Sequence, residues 1–232
     1  AQYADTYVSP DGDDANEGDA PERALKSPGL ALARTAGYGT CHLAEGVYTN
    51  AIYLDREGVT LQGAGTGRTI LCGLKTATPN RYQLVMCGRN VTARDLTSTG
   101  GVFGVYFSYP HCCSNAAAVN CEFRENTYGV YAHGLDGSCN FAYHQLPEQR
   151  DSAAKRPDNR LSHCIVSDNT SHGVHTLRGQ STFIADNLLV ADNGGTGVYR
   201  QKAAVYKEQS VEHSLVYGNA PDFFNAAYMT FD

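Results

Sequence analysis

Short runs in which apolar and polar residues alternate recur along the chain, each broken by Asn or Gly. Set in register, NCEFREN at 120–126, HCIVSDN at 163–169, NLLVADN at 187–193 and HSLVYGN at 213–219 repeat one pattern. Cys121 and Phe123, Cys164 and Val166, Leu188 and Val190, then Ser214 and Val216 take the alternate positions. A period of two is a strand signal. Gly-Val follows the closing Asn at Gly129, Gly173 and Gly197, and Gly104-Val105 is an earlier copy. The repeat of about 25 residues is of solenoid length.

Each copy therefore reads strand, turn, strand, longer turn, with Asn and Gly as turn residues that tolerate the left-handed backbone. One coil cannot bury its own apolar face, whereas stacked coils bury it and pair every strand edge. The predicted fold is all-β: a parallel β-solenoid of about eight to ten coils, formed by residues 1–232 as a single domain. The runs carry no helical stripe, which excludes a solenoid of helix pairs. Asn126, Asn169, Asn193 and Asn219 fall in one column and are expected to bond along the axis as a ladder. Cys121 and Cys164 share an inward column, as a stacked thiol pair or a disulfide.

Residues 1–40 are expected to hold a short strand and a capping helix, with Ser27 as N-cap and Pro28 at the first helical position. The oxygen-rich loop at 11–19 is a candidate for calcium, although its spacing is not that of an EF-hand; a solvated turn is the alternative. No other cofactor is expected. The strings YVSPDGDDANEG at 7–18, CHLAEGVY at 41–48 and VTLQGAG at 59–65, with the helix between them and the later Asn and Gly-Val repeats, carry a family resemblance. Together they resemble right-handed parallel β-helix proteins of the pectate-lyase-like superfamily. The resemblance implies a right-handed coil and a secreted or periplasmic, polysaccharide-active protein. It does not choose among lyases, hydrolases, epimerases, esterases and binding proteins, because one fold hosts many chemistries.

Composition narrows this modestly. A net charge of −6 and the lack of a basic stripe exclude a general nucleic-acid binder. No apolar run is long enough to span a membrane. Eight cysteines without metal-binding spacing favour an oxidising compartment, and Cys139 is a candidate partner for Cys112 or Cys113. The opening Ala1-Gln2-Tyr3 suits a chain whose leader has been removed. Oligomeric state has no signature here.

The spacing from each Gly-Val glycine to the next copy is 16, 14 and 16 residues after Gly104, Gly173 and Gly197, but 34 after Gly129. A polar insertion, 134–160, thus leaves one coil, and it includes His144. Loops on a rigid scaffold are where binding and catalysis concentrate. Beside its exit, Tyr106, Tyr131, His175 and Tyr199 form the next outward column, with His133 two residues on and Arg178, Arg200 and Lys202 alongside. Tyrosine, histidine and cations suit an acidic polysaccharide: cations hold uronate carboxylates and tyrosine faces stack on sugar rings. The expected chemistry is β-elimination or C5-epimerisation, with His133 or His175 as base, Tyr131 or Tyr199 as acid and Arg178 as carboxylate clamp; Tyr106, Arg200, Lys202 and His144 would bind substrate. Hydrolysis fits less well, since Asp168 and Asp192 sit at turns. The aspartate clusters with which many related lyases hold calcium are missing. The alternative is a non-catalytic module that binds glycan or serves structurally.

Overall fold

The computed structural model describes residues 1–73, 82–107, 113, 115–132, 159–176, 183–200, 209–224 and 229–231. Its strands form three parallel sheets of nine, seven and seven strands. We name them A, B and C in the order in which each coil passes through them. Seven coils visit all three sheets, and the first and last strands of sheet A, Tyr3–Val8 and Met229–Phe231, add a partial coil at each end. The chain is a parallel β-helix. With the partial coils included, the described residues cross sheet A nine times, within the eight to ten coils that the repeat length predicts.

Alternation within the short strands sends one column per sheet inward. Leu61, Ala93, Ala118, Leu161, Ala185 and Val211 stack on sheet A, and Leu71, Ser98, Phe123, Val166, Val190 and Val216 on sheet B. Ile52, Leu84, Val105, Val130, Val174 and Val198 stack on sheet C. Nearly all of these side chains are buried, which makes the helix interior one continuous apolar core. Helix Pro28–Arg34 covers its N-terminal end with Pro28, Ala31 and Leu32.

The asparagine ladder forms as expected. Asn169 Nδ2 donates to Asn193 Oδ1 at 2.8 Å, and Asn193 Nδ2 to Asn219 Oδ1 at 2.8 Å. The backbone N–H groups of Asn126, Asn169 and Asn193 donate to the side-chain oxygen of the next Asn at 3.0, 3.1 and 3.0 Å. At the far end Asp222 Oδ1 accepts from both Asn219 nitrogens and closes the row. The left-handed turn residue, however, is the one before each ladder Asn: Glu125, Asp168 and Asp192, with φ of 57°, 56° and 55°. The Gly-Val glycines do not serve a left-handed turn either. A Cβ on Gly104, Gly129, Gly173 or Gly197 would lie 2.7 to 2.9 Å from a ladder amide nitrogen, so these positions are glycine to admit the Asn side chain.

Other expectations need correction. Ser27 is the N-cap residue and Pro28 opens the helix, as expected, but the Ser27 hydroxyl makes no capping bond: it donates to Asp14, whose carboxylate also takes the Lys26 and Ser27 N–H groups at 2.9 and 2.8 Å. Asp13 accepts from Ala15 N–H, Glu17 from the Tyr3 hydroxyl and Asp19 from Arg23, so the 11–19 loop commits most of its carboxylates to protein donors. That is the bonding of a structural turn. Among the described residues no disulfide forms: Cys41, Cys72, Cys87, Cys121 and Cys164 are free thiols. Of the two alternatives for Cys121 and Cys164, the thiol pair holds: the buried thiols contact each other and donate to carbonyls of their own and the preceding coil, and burial pushes the Cys121 thiol well up. Cys112 and Cys139 lie outside the described residues. So does most of the insertion, with His144, although Asn159 and Arg160 already belong to the strand Asn159–Ser162.

The ladder sets a stability prediction. Asn193→Ala removes the acceptor of two Asn169 donors and should lower the unfolding free energy by about 3 kcal/mol. Asn187→Gly, at a left-handed turn with φ 53°, should stay within about 0.5 kcal/mol of the parent. Denaturant unfolding of both variants measures the difference.

Candidate functional site

The outer face of sheet C carries two columns of rings. One runs Tyr53, Val85, Tyr106, Tyr131, His175, Tyr199, Phe224, one residue per coil. Beside it Tyr82, Phe103 and Tyr128 pair in register, and His172 continues the row with its ring 5.8 Å from that of Tyr128. The sequence placed the first column. It passed over the second, although Phe103, Tyr128 and His172 each directly precede a Gly-Val glycine and so keep the same repeat register.

The rings bind one another along the helix axis. Centroids lie 5.0 Å apart for Tyr131 and His175, 4.4 Å for His175 and Tyr199, and 4.8 Å for Tyr199 and Phe224, with interplanar angles of 24°, 29° and 3°. Contacts of 4.6 to 5.6 Å tie Phe103 to Tyr128 in its own column and to Tyr106 and Tyr131 in the other. His172 lies 4.9 Å from Tyr199 at 17°, and 5.0 Å from His175. Faces in such stacks are occupied by neighbours, so the surface offered to solvent consists mainly of ring edges. This corrects the expectation that tyrosine faces stack on sugar. The exceptions among the described residues are the two ends of the first column, Tyr53 at 48% and Phe224 at 42% exposed.

Burial sets the charge of the face. It lowers the His175 pKa to about 4, helped by neighbouring His172, and lowers that of His172. It raises the Tyr106 hydroxyl to about 12, with Tyr82 and Tyr131 adding to the effect. At neutral pH all three are therefore uncharged. His175 is only 9% exposed, and both of its nitrogens are buried without a hydrogen-bond partner. It packs as a ring and offers no lone pair to a substrate in solvent. His172 is half-buried, and its Nδ1 accepts the Thr196 N–H at 2.9 Å.

The structure thus brings Tyr106, Tyr131, His175 and Tyr199 together as expected. Arg200 is a correction: it follows outward Tyr199, points inward, and is 5% exposed, with burial lowering its pKa. It cannot sit at the side of the ring face. His133, Arg178 and Lys202 lie outside the described residues. On sheet A, Asp186, Glu212 and His213 bring ligand atoms within 4.8 Å of one another. Asp186 there accepts from Asn187 and pairs with His213, and Glu212 accepts from Ser210, so the group is a surface hydrogen-bond cluster.

No protein-family model matches the chain, and no curated protein matches it in sequence. Its structure is similar to that of the pectate lyase Pel9A, with TM-score 0.63 and 14% identity over 94% of this chain and 64% of that one. It is also similar to the A-module of Azotobacter vinelandii mannuronan C-5 epimerase AlgE4, with TM-score 0.52 and 17% identity over 80% of this chain and 50% of that one. A rhamnogalacturonan lyase matches with TM-score 0.51 and 11% identity over 94% of this chain and 69% of that one. These likenesses establish the right-handed parallel β-helix fold. The chain spans under two thirds of Pel9A and half of the epimerase module. Among the described residues, no helix is long and apolar enough to cross a membrane.

The buried His175 predicts a pH effect. Its pKa is about 4 in the fold against 6.5 ordinarily, so between these values the unfolded chain binds a proton that the folded one does not. Stability should fall as pH drops through that window and level off below it. His175→Phe keeps the stack and removes the titrating group, so the difference in unfolding free energy between parent and variant should change between pH 6.5 and 4 and stay flat above 6.5.

Proposed function

We propose that the outer face of sheet C docks an extended, uronate-containing polysaccharide lying along the β-helix axis. The observation that carries this reading is the pair of ring columns, which place a phenol or imidazole on six successive coils, from Tyr53 to Tyr199, at steps of roughly 4.8 Å. A polymer of similar sugars is matched by a surface of similar steps, since each of these coils can offer a hydrogen-bonding ring edge to one sugar. Neither column contains a carboxylate to repel an acidic chain. Arg178 and Lys202, two residues beyond the strands Val174–Thr176 and Val198–Arg200, are the cations that would meet uronate carboxylates.

A second reading, elimination or C5-epimerisation, is favoured by the neutral donors on the same face. A base takes the C5 proton while a donor stabilises the charge that builds on the carboxylate. In elimination the electron pair then forms the C4–C5 double bond, and the C4 oxygen leaves with a proton from an acid; in epimerisation C5 regains a proton on its other face. Tyr131 and Tyr199 suit the acid role. Because His175 is buried, His133 takes the role of base in this reading.

Titration calorimetry with uronate polymers tests the docking. The parent should bind, and Tyr131→Ala or Tyr199→Ala should weaken binding roughly tenfold; unchanged binding in both would refute this face as the site. In parallel, ultraviolet absorbance of unsaturated products reports elimination and proton exchange at C5 reports epimerisation. Each signal should vanish in His133→Ala if the second reading holds, and the absence of both signals from the parent would reject it.

A further inference from the structure

Two histidines lie side by side on the ring face, and the protein treats them differently. His175 is enclosed, with both nitrogens buried and unpartnered. His172 is only half-buried and has one nitrogen engaged: Nδ1 accepts the Thr196 N–H at 2.9 Å. That bond decides the tautomer. A nitrogen that accepts a backbone N–H holds no proton, so the neutral ring carries its proton on Nε2. The ring is also held in place, 4.9 Å from Tyr199 at 17° and 5.0 Å from His175. Gly195 belongs to the same arrangement, because a Cβ there would lie 2.8 Å from His172 Nδ1. The chain has thus cleared space beside this imidazole and supplied a fixed donor to orient it.

Burial lowers the pKa of His172, and protonation would also break the bond to Thr196. The ring therefore stays a neutral donor and acts neither as a base nor as a cation. An ionised carboxylate only accepts hydrogen bonds, whereas a sugar hydroxyl both donates and accepts. A group that can only donate at its free edge discriminates in favour of the carboxylate.

We propose that His172 is a specificity-determining residue of the sheet C face, with its Nε2–H donating to a uronate carboxylate of the docked polysaccharide. This rests on the docking reading above and adds which group recognises the acid. It also assigns Thr196 and Gly195 as the positions that hold the imidazole in its donor form.

The test compares parent, His172→Asn and His172→Gln for binding to a polyuronate and to its methyl ester. Asn can still accept the Thr196 N–H through its side-chain oxygen but has no group at the place of Nε2, while the longer Gln returns an N–H near that place. His172→Asn should melt with the parent yet bind the polyuronate roughly tenfold more weakly. Its affinity for the methyl ester should change much less, so that the preference for the acid collapses, and His172→Gln should recover part of it. A loss of equal size for both polymers would mean that His172 only supports the face, and would overturn the proposal, as would unchanged polyuronate binding by His172→Asn. Failure of the parent to bind either polymer would overturn the docking reading itself, and this proposal with it.

Discussion

The buried asparagine ladder fixes the phase of one coil on the next, and the rest of the molecule depends on that phase. Each rung joins the side-chain amide of one coil to the backbone and side chain of its neighbours, from Gly101 N–H on Asn126 to Asp222 on Asn219. A slip of one residue in any of the four coils that carry a ladder Asn would break a rung and turn that coil's inward column outward. Leaving a buried amide unpaired costs about 1–3 kcal/mol, more than the net worth of forming one such bond. The glycines of the Gly-Val pairs follow from the same constraint, because they leave room for the amides.

With coil phase fixed, side chains at equal repeat positions must stack, and the nature of the face follows from what the sequence places there. On sheet C the placement is aromatic and imidazole. The stacked rings shield one another from water, which keeps the histidines neutral and the Tyr106 hydroxyl protonated. A face built in this way is rigid, uncharged and repetitive. Those properties suit recognition of a polymer better than attack on a single bond, and they explain why the buried histidine, His175, is poorly suited to proton transfer.

Much of the fold was legible because β-helix coils write their period directly into the chain. The 120–126, 163–169, 187–193 and 213–219 copies gave the sheet B strands, the ladder and the inward columns. Physical roles were harder to read than positions. Asn and Gly looked alike as turn formers, yet the left-handed residue before the ladder Asn is Glu125, Asp168 or Asp192, the Asn that is left-handed opens the repeat at Asn120 and Asn187, and the Gly-Val glycines serve side-chain packing. Arg200 was placed by its charge when alternation alone, inward Val198, outward Tyr199, inward Arg200, had already settled its direction. His172 is harder to read because the second ring column lies just before Gly-Val, outside the alternation that follows it. The tautomer of His172 and the burial of His175 depend on neighbours from other coils, which no single repeat displays.

The central claim is that the sheet C ring face is where a polysaccharide lies, and a crystal structure with a bound uronate oligosaccharide tests it most directly. The account predicts sugar density running parallel to the helix axis over Tyr106, Tyr131 and Tyr199, with a carboxylate beside His172 Nε2. Density ordered on sheet A or sheet B, with the ring columns bare, would contradict it.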